Sequence, residues 1–342
     1  MIKNIRKGFR SNIFSVTGPG KSNERSATLI TATKDKHSMI SELQSMFERI
    51  RVPVTFDLLA DFDLNNPEHQ DVLKKNKFIL DATIGNTHAS KAHELRKFLK
   101  VNTRVIHMYN LLENYCKRCK QANLTIFTDN YDSGKSIIEQ EVSPGVVERL
   151  DTVRAETYQQ IAEQAFRHAT LNGRGSVTLV HGVDDNKIID ELFLSTCKEV
   201  AKNYPYIKCD EVVVDDFISR YRKHPNAFRF VIMPNFYQNI LLTLGLVDDT
   251  GYKMIVGANI GEDHLLFDQG FTPGNILEID YECRFGAVIL ASVSMLRSMD
   301  LPNHADRIYE ACHSLYDHEK RDFQNKEYVT NENFMPLLIK NL

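Results

Sequence analysis

An α/β fold is what this sequence predicts, and three observations predict it. Short apolar runs of strand length alternate with longer segments whose apolar residues recur at helical spacing. The chain has 342 residues, enough for two domains of ordinary size. With 42% hydrophobic and 25% charged residues, its composition is that of a globular protein, not a disordered one.

Taken in order, residues 28–31 read as a first strand. A helix follows over 38–50, because Met39, Ile40, Leu43, Met46, Phe47 and Ile50 form one apolar stripe. Residues 52–59 read as a second strand, with Pro53 near its start, where a missing N–H is tolerated. The polar stretch 61–77 reads as a loop followed by a helix, 78–82 as a strand, and 91–100 as a helix. Short buried strands over 177–181 and 230–233 bracket a helix over 190–203. Helices over 286–299 and 305–316 are expected to be the last substantial ones, with Met295, Leu296, Ile308 and Tyr309 as core.

Residues 1–26 have a different character. Lys3, Arg6, Lys7, Arg10, Lys21 and Arg25 face a single acid, Glu24, and serines stand at 11, 15, 22 and 26. Ile2, Ile5, Phe9 and Ile13 fall near one face of a helix, opposite the basic residues. A basic, Ser-rich, acid-poor amphipathic start describes a mitochondrial transit peptide, so a matrix location is expected.

The net charge of −3 gives no bulk electrostatic case for nucleic acid or for an anionic membrane surface. No apolar run approaches the roughly 20 residues that span a bilayer. Cys116 and Cys119 form a lone CxxC with no second pair at zinc spacing, and reduced thiols are expected throughout. The segments GPGKS (18–22) and SGKS (133–136) fail the phosphate-loop motif, which needs glycine where Ser15 and Asp129 stand.

The most informative stretch runs from Glu156 to Asp263. It contains ETYQQIAEQAF (156–166), GRGSVTLVHGVDDNK (173–187), ELFLSTCKEVAKNYPYIK (191–208), VVVDD (212–216), VIMPNFYQNI (231–240) and VGANIGED (256–263). These segments resemble the mitochondrial NAD-dependent isocitrate dehydrogenase family, among the isocitrate/isopropylmalate dehydrogenases. PGVVERL (144–150), GRGSV (173–177), YPYIK (204–208) and MPNFYQN (233–239) look most like its non-catalytic β-type or γ-type subunits. The resemblance extends from about Ala27 to the C-terminus and implies a two-lobe fold. Its large lobe would be discontinuous (27–86 plus 249–342), and its central lobe (87–248) would carry a dimerisation clasp.

The resemblance also implies where the chemistry should lie, and the residues there are altered. The family oxidises a hydroxyl and releases CO2, which takes a base, an acid, a divalent metal and arginines for the substrate carboxylates. The catalytic lysine position is Gly182 and the catalytic tyrosine position is Lys135. Of the metal-binding aspartates, two are Asn239 and Thr243, and the third survives as Asp215. Asp215 could complete a site on a partner chain; otherwise it ends a strand as a turn residue. Ser90 and Arg96 match the family's substrate anchors, whereas its other two arginines fall on Ile106 and Thr128 and its asparagine on Ala92. Without the resemblance, Arg96 reads as a solvated helix charge and Lys187 as a helix-start charge.

The NAD positions have changed too. The glycine-rich turn (31–38) has lost every glycine, the adenine-loop histidine is Phe271, and a later asparagine is Arg284. The expectation is a regulatory or structural subunit in a hetero-oligomer. The partner would be a catalytic subunit of NAD-dependent isocitrate dehydrogenase, which carries NAD and Mg2+ or Mn2+ and converts isocitrate to 2-oxoglutarate. Two alternatives stand beside it: an active dehydrogenase of altered specificity using Lys135, Asp185 or Lys187, and a free-standing pseudoenzyme.

Overall fold

A computed structural model describes residues 26–31, 39–83, 89–109, 124–130, 137–173, 175–182, 187–238, 241–242, 254–270, 281–318 and 331–342. Its first half alternates strand and helix: β1 (Ser26–Thr31), α1 (Met39–Arg49), β2 (Thr55–Ala60), α2 (Pro67–Lys75), β3 (Phe78–Asp81) and α3 (Ala89–Phe98). Strands β4 (Thr103–Tyr109), β5 (Leu124–Asp129), β6 (Ile137–Ser143) and β7 (Val146–Asp151) follow. Next come α4 (Ala155–Leu171), β8 (Ser176–His181), α5 (Lys187–Ala201), β9 (Lys208–Val213), α6 (Val214–Lys223) and β10 (Phe230–Ile232). The chain closes with β11 (Met254–Ile260), β12 (Leu265–Asp268), α7 (Tyr281–Ser298), α8 (Pro302–His318) and α9 (Asn331–Asn341).

Ten of these strands form one sheet in the order β2-β1-β3-β12-β11-β4-β5-β10-β8-β9. The outer blocks β2-β1-β3-β12 and β5-β10-β8-β9 are parallel, and antiparallel pairings of β11 with β12 and β4, and of β4 with β5, join them. Parallel strands covered by helices must be apolar on both faces, and β1, β5 and β12 are buried along almost their whole length. Strands β1–β3, β11 and β12 make one half of this sheet and β4, β5 and β8–β10 the other, and the halves meet where β11 pairs with β4.

Of the stripe foreseen for the first helix, Leu43, Met46 and Phe47 on α1 and Ile50 just past its end are at most 3% exposed. Helix α2 starts where its chemistry directs: the Asn66 side chain accepts from the Glu68 N–H at 3.0 Å, and Pro67 occupies the first turn. Met295, Leu296 and Ile308 lie in the core, and Arg297 pairs with Asp306 between α7 and α8.

Two expectations change. The second strand begins at Thr55, not 52, because the Val54 N–H folds back onto the Val52 carbonyl around Pro53. A third C-terminal helix, α9, follows the two foreseen; Pro336 inside it reads as a breaker, yet Phe334, Met335 and Leu338 anchor it in the core.

Strands β6 and β7 form a separate two-stranded hairpin that turns at Gly145, where φ is +79°. Its Ile138, Val142, Val146, Val147 and Leu150 are exposed large apolar residues. A lone hairpin cannot bury its own face.

Candidate functional site

Gly182 follows the last residue of β8 and is buried. A Cβ placed on it would lie 2.0 Å from the Tyr237 hydroxyl and 2.9 Å from a carboxylate oxygen of Asp190. The space where a side chain would begin at this position is therefore filled by the tyrosine.

The segment that carries Tyr237 is pinned by a polar clamp. Asp129, at the end of β5, accepts from the Asn235 N–H at 2.9 Å, and its carbonyl accepts from the Asn235 side-chain amide at 2.8 Å. The Gln238 amide in turn donates to the Asn235 side-chain oxygen at 3.1 Å. Asp129 and Asn235 are both buried, so these bonds satisfy groups that would be costly unpaired. The sequence drew attention to Asp129 only as a residue that breaks a phosphate-loop motif, and its clamp role was invisible until β5 and residue 235 were brought together.

Asp190, in the first turn of α5, faces the same spot. Burial pushes its carboxyl above the usual range, against the pull of neighbouring His181 and of the Gly182 N–H that it accepts. Burial likewise raises the Tyr158 hydroxyl, with Asp129, Asp190, Cys197 and Tyr237 adding to the effect, so the phenol stays neutral. Lys187 opens α5 exposed to solvent.

Asp215 does not end a strand. Strand β9 stops at Val213, and Asp215 sits exposed in the first turn of α6, where a carboxylate favours the positive helix end. Among the described residues no three His, Cys, Asp or Glu side chains converge as metal ligands.

Arg96 is not a solvated charge. It leaves the last turn of α3 with its side chain 19% exposed and donates to the Asp268 carboxylate at 2.8 Å. A second arginine joins it, one the sequence reading passed over. Arg104 stands on β4 opposite Thr128 on one side and Asn259 on the other, and it donates to the Gly270 carbonyl. It lies two residues before Ile106 and thus on the same face of the strand. Burial lowers its pKa first and neighbouring Arg96 adds to this, with Asp268 opposing, to about 9, which leaves it charged at neutral pH. Strand register alone revealed this pairing.

Other site expectations fall elsewhere. Lys135, Asn239, Thr243, Phe271, Asp185 and the turn at 32–38 lie outside the described residues, as do Cys116 and Cys119 and residues 1–25. Ser90 and Arg284 belong to α3 and α7, but their side chains lie outside the described ones.

Comparison with known proteins follows the same lines. A family model described as isocitrate/isopropylmalate dehydrogenase matches residues 60–336. Regulatory subunit 1 of mitochondrial NAD isocitrate dehydrogenase from Arabidopsis thaliana is 30% identical over 304 residues, 86% of this chain and 83% of the relative. The mitochondrial NAD isocitrate dehydrogenase subunit beta of Bos taurus is 30% identical over 292 residues, 80% and 74% of the two chains. In fold, the crystal structure of isocitrate dehydrogenase from Methylococcus capsulatus superposes with a TM-score of 0.76 at 22% identity, covering 93% of this chain and 99% of that one. With a family match over most of its length and relatives at this identity, the chain belongs to the isocitrate/isopropylmalate dehydrogenase family.

Proposed function

We propose that this chain is a non-catalytic subunit of a mitochondrial NAD-dependent isocitrate dehydrogenase, whose partner subunit carries out the conversion of isocitrate to 2-oxoglutarate. The observation that carries the reading is Gly182. At the position where the family resemblance expects a lysine, there is no titratable group, and the Tyr237 hydroxyl fills the space where a side chain would start. The relatives support the rest of the reading: several are named as regulatory, beta or gamma subunits of the mitochondrial NAD enzyme. On this reading the lobes divide at 27–86 plus 249–342 and 87–248, and the exposed apolar hairpin β6–β7 serves as the clasp toward the partner. NAD and the divalent metal belong to that partner.

The loss of Arg96 to Asp268 fits the same reading, since a side chain engaged inside its own chain is withdrawn from a substrate. The test is the purified chain supplied with isocitrate, NAD and Mg2+ or Mn2+. It should form no NADH, and neither substrate nor nucleotide should shift its thermal transition. NADH formation by the chain alone would restore the active-dehydrogenase reading.

A further inference from the structure

We propose that Asp268 is a built-in counter-ion that occupies the anion-facing side of the Arg96–Arg104 pair and keeps external carboxylates out of it. The sheet register builds the site. Ile106, Gly257 and Asp268 form one row across β4, β11 and β12, and Arg104 and Asn259 sit opposite each other in the row two residues away. Gly257 lets the carboxylate lie across its strand, because a Cβ there would meet an Asp268 oxygen at 2.0 Å. Gly270 closes the turn at φ +76°, with no room for a side chain against the backbone of Val256 and Gly257.

Each Asp268 oxygen is then spoken for. Oδ1 accepts from the Gly270 N–H at 2.7 Å, and Oδ2 accepts from Arg96 at 2.8 Å and from the Asn259 amide at 2.9 Å. Asp81, the other carboxylate near Arg96, is turned to the Thr83 N–H at 3.0 Å. Arg96 holds this carboxylate directly, Arg104 donates to the carbonyl of Gly270 beside it, and both of their Nε atoms are buried with no hydrogen-bond partner. A planar fork is built to engage a carboxylate through two N–H groups at once. Each guanidinium thus keeps a donor without a partner, and the carboxylate that Arg96 engages comes from within the chain. Arg104 and Arg96 are both partly withdrawn from water, which strengthens their hold on the internal carboxylate over a dissolved one.

This inference goes beyond the subunit reading and concerns anion binding by this chain alone; its failure would remove one support of that reading, which is decided separately by NADH formation. The test is thermal denaturation of the full chain in citrate or formate against chloride at equal ionic strength. Wild type should show no carboxylate-specific shift. Asp268→Ala should melt lower in chloride and recover with formate dose, binding it at least about tenfold more tightly than wild type does. Adding Arg96→Met to Asp268→Ala should abolish the recovery. A wild-type response that Arg96→Met removes would overturn the proposal, as would a destabilised Asp268→Ala that formate does not rescue, the behaviour of a merely structural ion pair. Should Asp268→Ala fail to fold in chloride, it is refolded from urea in formate. Recovery there supports the proposal, and failure in both salts overturns it.

Discussion

Gly182 and Asp268 show how single residues set what this scaffold can do. On the proposed reading, placing a lysine there by Gly182→Lys would not bring chemistry, since the new Cβ would start on top of the Tyr237 hydroxyl and the segment carrying the tyrosine is pinned through Asn235 and Asp129. The expected result is a protein destabilised by about 1–3 kcal/mol through overpacking and still silent for NADH formation, read by urea denaturation and a coupled assay. A gain of activity would mean that Tyr237 yields readily. At Asp268, burial pushes the carboxyl up, but Arg96 and Arg104, with hydrogen bonds from Arg96 and Asn259, outweigh it and hold the group at about 2. A depressed folded-state pKa gives stability that is present above the unfolded value near 4 and lost as pH falls toward 2. Asp268→Asn should therefore be less stable than wild type by about 2 kcal/mol at neutral pH, with the gap narrowing below pH 4. A gap independent of pH would assign the loss to packing and not to charge.

Among the elements, the hairpin β6–β7 is the one whose sequence makes little sense in a lone chain. Ile138 and Leu150 face each other across it, 53% and 60% exposed. An aliphatic pair this open has nothing within the described chain to bury it. Replacing it with Ile138→Lys and Leu150→Glu keeps a favourable cross-strand pair while removing the apolar face. Folding stability should change by no more than about 0.5 kcal/mol, as for other surface changes. Association with itself or with a catalytic partner, read by size-exclusion chromatography with light scattering, should be lost. Undiminished association would take the hairpin out of the interface. Helix α9 carries the opposite lesson about elements, because its core contacts through Phe334, Met335 and Leu338 override the local signal of Pro336.

Across the whole molecule, the fold class was legible in the sequence because parallel strands and amphipathic helices write their burial directly into apolar runs and stripes, whereas β4–β7, β11 and β12 were not placed. The strands at Ser26–Thr31, Phe78–Asp81 and Ser176–His181 and the helices at Met39–Arg49 and Lys187–Ala201 fall within a few residues of where periodicity put them. The site was legible only in part. Gly182 could be singled out from a motif as standing where the family resemblance expects a lysine, whereas the Arg96–Asp268 pair joins residues 172 positions apart and depends on a strand register that no local pattern encodes. The same holds for Arg104, which faces Thr128 and Asn259 from two other strands. On the proposed reading, the molecule keeps the family scaffold with the exposed apolar hairpin β6–β7 as a clasp, and what it has given up lies at the positions that move protons and grip carboxylates. The measurement that tests this account most directly is NADH formation from isocitrate by a catalytic NAD isocitrate dehydrogenase subunit, with and without this chain. The account predicts that the chain is silent by itself, co-assembles with the catalytic subunit and changes its rate or its isocitrate dependence; turnover by the chain alone, or a mixture that neither assembles nor differs from the catalytic subunit by itself, would contradict it.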